Sequence, residues 1–287
     1  MGKLYVNRIP EVRPEQSVGL LKALHILTRD GKLNQDSRRK LKQIQHLLQF
    51  ITPLVEEAWS LQPSISVVDH GAGKSYLGFM LYDALMKDRD DDSHVYGIET
   101  RPELVDSSQK LAEELHFSRM SFLNLSVTES IASDLLPSNV DVVTALHACN
   151  TATDDAIHFG LEKKARFIVL VPCCQAEVAA TLKKNKSSES NRDPFSELWR
   201  HPIHTRELGS HVTNVLRCLQ LEAHGYQVTV TELVGWEHSM KNELIVATFK
   251  GLPRKKAAER LQAILEKLGL EEMRSRFFIP SNLALAD

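Results

Sequence analysis

Few features of this chain would place it outside ordinary globular proteins. Among its 287 residues are only four cysteines, Cys149, Cys173, Cys174 and Cys218. That density excludes a disulfide scaffold and makes reduced thiols the expectation. No apolar run approaches the ~20 residues of a membrane-spanning helix, and no signal-peptide core opens the sequence, so a cytoplasmic protein without a membrane partner is expected. An excess of one charge is also missing. Lys and Arg number 35 against 37 Asp and Glu, a formal net charge of -2. There is no global basic field, and any nucleic acid must be met by a local patch. No internal repeat is visible. What is there, 43% apolar and 25% charged residues, suits one large α/β domain with appendages and a well-buried core.

Missing glycines decide how the central stretch is read. Residues 65–79 run from an apolar segment (Ile65, Val67, Val68) through Asp69, Gly71 and Gly73 into a helical pattern. A strand, a glycine turn and a helix start are how a parallel α/β sheet seats a nucleotide-like ligand. Gly73-Lys74-Ser75 suggests a phosphate-binding P-loop, but that motif needs glycine where Val68 stands. A dinucleotide fingerprint needs glycine where Tyr76 stands. An Asp-x-Gly-x-Gly turn, laying backbone against adenosine and a charged amino-acid tail, fits with no residue missing.

Around this turn the chain alternates strands and helices. A short helix is expected from Val18 to Leu27, then a stripe of Leu41, Ile44, Leu48, Ile51, Val55 and Ala58, where Thr52-Pro53 either kinks one helix or caps a second. Strands are expected at 95–98, 120–123, 140–146 and 166–171, with helices between, implying right-handed crossovers. The last two strands, 227–233 and 243–249, lie about nine residues apart, too few for a parallel crossover, so one runs antiparallel. Residues 183–205 read as one long irregular insertion. The expected fold is α/β: a Rossmann-like, doubly wound, seven-stranded sheet, mostly parallel with one antiparallel strand near the C-terminus. Its expected parts are a helical extension (1–60), the core domain (61–250) and a C-terminal helix and tail (251–287).

Ligands in such sheets lie beyond the carboxyl ends of the strands. Glu99 ends the second strand, where a carboxylate can accept hydrogen bonds from both ribose hydroxyls. The loop after the fourth strand carries His147, Cys149, Asn150, Asp154 and Asp155, and the loop after the fifth carries Cys173 and Cys174. These could line a pocket beside the ligand, or hold zinc. Adjacent Cys173-Cys174 lacks the paired spacing of zinc sites, and no metal is expected. Asp154 lies in a Thr-x-x-Asp pattern that would equally cap a helix. Cys218 falls in a helical stripe and reads as core. Lys241 and Asn242, between the last two strands, are either substrate-facing or a polar hairpin loop.

Together these residues resemble the class I S-adenosylmethionine-dependent methyltransferases over roughly residues 60–250. The resemblance implies S-adenosylmethionine as cofactor, with Asp69, Gly71 and Gly73 at its methionine part, Glu99 at its ribose, residues 124–126 (Ser126 among them) beside its adenine, and His147 against it. More narrowly, the His-Ala-Cys-x-Thr-Ala-Thr-Asp-Asp and Pro-Cys-Cys runs look like a little-characterised subgroup, similar in these loops to a eukaryotic tRNA ribose methyltransferase family. No Asn-Pro-Pro-Tyr follows the fourth strand and no cysteine-histidine zinc modules are present, so neither base-amino methylation nor the tRNA substrate carries over directly.

The reading is therefore of a methyltransferase with His147 first and Asp154 second as base, and Cys149 and Cys173 beside the acceptor. RNA is the expected acceptor, met by Arg38, Arg39, Lys40 and the lysine-rich 183–205 loop. Protein or small-molecule methylation and a non-catalytic scaffold on the same fold are the alternatives.

Overall fold

The computed structural model describes residues 12–13, 16–146, 151–172, 176–185, 194–233, 243–281 and 283. Seven strands form one sheet: β1 (Ser66–His70), β2 (His94–Glu99), β3 (Met120–Asn124), β4 (Val142–Leu146), β5 (Phe167–Val171), β6 (Tyr226–Glu232) and β7 (Glu243–Phe249). Their spatial order is β3-β2-β1-β4-β5-β7-β6. The first five pair in parallel, while β7 runs antiparallel to both β5 and β6, as the short last connection required.

Period-two alternation sorts strand side chains onto two faces. Val67 and Val142 join one buried cluster and Val68 and Val143 the other. Helices α1 (Val18–Ala23), α2 (Gln35–Leu61) and α3 (Tyr76–Leu81) contribute to the first. Helix α6 (Ala152–Glu162) contributes Ala156, Ile157 and Phe159 to the second. Helices α4 (Pro102–Glu114) and α5 (Val127–Ala132) complete the crossovers. A third cluster joins α7 (Glu177–Asn185), α8 (Pro202–Ala223) and α9 (Lys255–Lys267). Among the described residues no helix is long and apolar enough to cross a membrane.

One open alternative closes and one expectation changes. Helix α2 is a single helix of 27 residues with Pro53 inside it, so Pro53 does not cap a second helix. The proline is exposed while Ile51 and Val55 beside it are buried, so the packed stripe carries the helix past the missing N–H. The 183–205 segment is not one irregular insertion. Helix α7 extends to Asn185, a 3-10 helix covers Pro194–Trp199, and α8 opens at Pro202; residues 186–193 lie outside the described residues. Pro194 and Pro202 stand in first turns, where their absent N–H is not missed. Gly209 sets the approach of α8 to α7, because a Cβ there would lie 2.7 Å from the Ala179 nitrogen.

Candidate functional site

The turn after β1 is built on residues in the left-handed region: Gly71 at φ 67°, Gly73 at φ 59°, and also Ser75 at φ 49°. Glycine adopts such angles without steric cost, which is why two of the three positions carry it. The Ala72 N–H donates to the Ile98 carbonyl at 2.9 Å, fixing the turn to the end of β2. The Gly73 N–H donates to Glu99 Oε2 at 2.8 Å. Glycine turn and strand-end acid, 26 residues apart in sequence, are thus one bonded unit at the carboxyl edge.

Glu99 is nearly enclosed by donors. Its Oε1 accepts from the Thr100 N–H (3.0 Å), the Arg101 N–H (3.1 Å) and Arg101 Nε (3.0 Å), and its Oε2 also from Arg101 Nη2 (3.1 Å). Burial alone would raise its carboxyl, but hydrogen bonds from the Arg101 side chain, the Arg101 and Gly73 N–H groups, and the Arg101 charge together hold it down to about 2. It is therefore a firm anion. Across the sheet edge, Asn124 Nδ2 donates to the Glu99 carbonyl at 3.0 Å, tying β3 to the same place.

Asp69 has a different task from the one its sequence position suggested. Its carboxylate is buried and faces protein: Thr144 Oγ1 donates to Oδ1 at 3.0 Å and Ser75 Oγ to Oδ2 at 3.2 Å. It holds β1, β4 and the turn together and does not lie open to a ligand. Burial pushes its carboxyl up to about 7, against hydrogen bonds from Thr144, Ser75 and the Gly78 N–H. Lys74 is exposed and Ser75 points inward, so the Gly-Lys-Ser run forms no phosphate cradle.

Ser126 caps α5 in a capping box with Glu129: the Glu129 N–H donates to Ser126 Oγ, and Ser126 N–H and Oγ donate to Glu129 Oε2 at 2.7 and 2.6 Å. Asp154 departs from both of its expected roles. Thr151, the N-cap of α6, makes no side-chain cap bond, and the Asp154 carboxylate is buried against Arg217 of α8. Arg217 Nε donates to Oδ1 at 2.6 Å and Nη2 to Oδ2 at 3.0 Å. Both oxygens serve a buried cation, so Asp154 is not the free base the sequence suggested. His147, Cys149, Cys173, Cys174, Lys241 and Asn242 lie outside the described residues. Arg38, Arg39 and Lys40 are exposed on the first turns of α2, with Arg39 4.0 Å from Asp36.

Several residues here escaped the sequence reading. Arg101, Thr144 and Arg217 carry no motif that would single them out. His70 stood as a variable position inside the turn motif, yet it is buried, its ring 5.4 Å from that of Phe159.

A turn with backbone free of side chains at Gly71 and Gly73, beside a fixed anion, fits a nucleoside with a charged tail. Residues 39–181, just under half of the chain, match the family model described as a methyltransferase domain. The chain is similar to the glutathione S-transferase C-terminal domain-containing protein of Bos taurus, 24% identical over 243 residues that span 76% of this chain and 34% of that one. Its Drosophila melanogaster homolog is 24% identical over 232 residues, 74% and 37% of the two chains. The chain thus spans about a third of the length of these curated relatives. Among solved structures, it is similar to the magnesium protoporphyrin IX methyltransferase of Synechocystis (17% identity, TM-score 0.45, 82% and 96% of the two chains). It is also similar to the fibrillarin pre-rRNA processing protein of Methanococcus jannaschii (13%, TM-score 0.38, 66% and 68%). The fold rests on strand order and register rather than on these two likenesses. Residues 39–181, the glycine turn and Glu99 among them, thus match a methyltransferase domain.

Proposed function

We propose that this domain is an active methyltransferase whose acceptor is RNA. The observation that carries the catalytic reading is the intact seat: Gly73 bonded to an ionised Glu99, with Asp69 locking the turn from beneath. When bound, S-adenosylmethionine supplies a methyl carbon already activated by sulfonium charge, so the chain's own work is positioning and proton removal. Gly71, Gly73 and Glu99 would hold the nucleoside and tail. Ser126, at the start of α5, would border the adenine. With Asp154 committed to Arg217, His147 remains the candidate for taking the acceptor's proton and for touching the cofactor, with Cys149 and Cys173 beside it.

RNA is favoured by the exposed Arg38, Arg39 and Lys40, by Lys183 and Lys184 in the last turn of α7, and by the likeness of the strand-four and strand-five loops to a tRNA ribose methyltransferase family. The test has two arms. Calorimetry with S-adenosylhomocysteine should show binding; none would end the catalytic reading. Fluorescence anisotropy with labelled RNA should show affinity falling steeply with salt, and less steeply in the Arg38→Ala, Arg39→Ala, Lys40→Ala variant. No RNA binding at low salt would turn the reading toward a protein or small-molecule acceptor.

A further inference from the structure

His70 is the described residue near the seat whose chemistry the fold leaves unanswered. It is 5% exposed, both ring nitrogens are shielded from solvent, and among the described residues neither Nδ1 nor Nε2 has a hydrogen-bond partner. A neutral imidazole carries one donor and one acceptor, and native interiors pair nearly all such groups. A core position against Phe159, itself in an apolar cluster with Ile98, Val143 and Ile157, would be filled better by Leu or Phe. Retaining a histidine there has a physical reason only if something arrives to bond it.

Position says what arrives. His70 is the last residue of β1, next to Gly71, and pairs in register with Ile98, one residue before Glu99. Strand β1 lies between β2 and β4. A nucleoside held at the end of β2 by Glu99 therefore extends its other end over β1, where His70 stands. For S-adenosylmethionine that other end is an amino acid, with a carboxylate to accept a hydrogen bond and an ammonium to donate one. We propose that the His70 side chain is a cofactor-binding group that hydrogen-bonds the amino-acid end of bound S-adenosylmethionine. The imidazole is already in the right state, because burial keeps it neutral, its pKa lowered to about 4 despite the opposing charge of Glu99.

This inference rests on the methyltransferase reading and deepens it. Its test compares two ligands by calorimetry on the full chain: S-adenosylhomocysteine, which has the amino-acid end, and 5'-methylthioadenosine, which lacks it. His70→Leu should weaken the first ~10- to 100-fold, the range for a lost hydrogen bond to a charged group, and leave the second unchanged. Its melting temperature should equal or exceed that of the wild type, since an unpaired imidazole has been replaced by an apolar group. His70→Asn, which keeps a donor near the Nδ1 position, should recover part of the lost affinity, and it serves alone if the leucine variant does not fold. Equal affinities of wild type and variants for S-adenosylhomocysteine would overturn the inference and leave the methyltransferase reading standing. Equal weakening toward both ligands would overturn it too, by showing a general disturbance of the seat. Failure of the wild type to bind either ligand would instead remove the reading beneath it.

Discussion

At the scale of the residue, a ribose approaching Glu99 meets Arg101 first. The guanidinium already bonds both carboxylate oxygens, so the nucleoside must displace it or share the acid with it. The Arg101 side chain is 60% exposed, which makes its hold weak: such pairs contribute about 0–1 kcal/mol. Arg101→Ala should therefore tighten S-adenosylhomocysteine binding by no more than about 5-fold in calorimetry. A weaker affinity would mean that Arg101 itself grips the ligand. Asp69 and His70 make a second residue-scale prediction, and their signs oppose. Burial raises the Asp69 carboxyl from 3.8 to about 7, so the folded state holds its proton more tightly and stability falls as pH rises from about 4 through 7. Burial lowers His70 from 6.5 to about 4, so its contribution is complete above 6.5 and is lost as pH falls toward 4. Between pH 4 and 6.5 the two slopes, each at most about 1.4 kcal/mol per pH unit, largely cancel. Asp69→Asn removes the carboxyl slope and keeps the histidine one. Urea melts of that variant should show stability rising with pH more steeply across this window than in the wild type, and parallel profiles would refute the assignment.

At the scale of elements, one buried cation joins three of them. Arg217 of α8 is fully buried, holds Asp154 of α6 and donates to Asn214 Oδ1 at 3.0 Å, and Asn214 Nδ2 donates to Glu243 at the start of β7 at 2.7 Å. Removing one member of a buried pair strands a charge, which typically costs about 3–5 kcal/mol. Arg217→Met should lose about that much in urea denaturation, and Asp154→Leu combined with Arg217→Met should recover most of it. A loss below about 1 kcal/mol in the single variant would mean the pair is not what locks α6 to α8. Arg217 also shows where sequence reading stops. The strands and the antiparallel last pair were legible because apolar runs, Gly71, Gly73 and the short gap before β7 are local signals. Glu99 was legible because a strand end follows the turn at a suitable distance. Asp154 was misread because its partner lies 63 residues away and leaves no trace near it. Likewise, Pro194 and Pro202 signal a break with equal force whether they interrupt a helix or begin one, so the opening of α8 read as loop.

At the scale of the molecule, the first sixty residues read in sequence as an extension, yet their apolar side chains belong to the core that the sheet uses. Leu20, Leu41, Leu48 and Ile51 share one buried cluster with Val67, Leu77, Val95 and Val142. Trp59 Nε1 donates to Ser93 Oγ at 2.9 Å, and that oxygen accepts from the Ile65 N–H at 3.0 Å, so the end of α2 is bonded to the loop entering β2 and to the approach to β1. Asp83, in the π-helical turn Tyr82–Met86 that continues α3, accepts from the Ser17 N–H at 3.2 and 3.1 Å. Twelve apolar side chains between Leu20 and Ala58 are buried. At about 1.5–3 kcal/mol each, even half of them represent roughly 9–18 kcal/mol, as much as the whole net stability of a typical domain, about 5–15 kcal/mol. Some of that burial is of α1 and α2 against each other, and only the part facing the sheet is lost to it when they are removed. That part includes the cover over Leu77, Phe79 and Met80, which stand on the helix leaving the glycine turn. A chain beginning at residue 61 should consequently show no cooperative thermal transition and no S-adenosylhomocysteine binding, although it retains Asp69, Gly71, Gly73 and Glu99. Calorimetry and circular dichroism on the two lengths decide it. If the shorter chain melts cooperatively and binds, the sheet and its remaining helices suffice, and α1 and α2 do not hold the turn in its binding geometry.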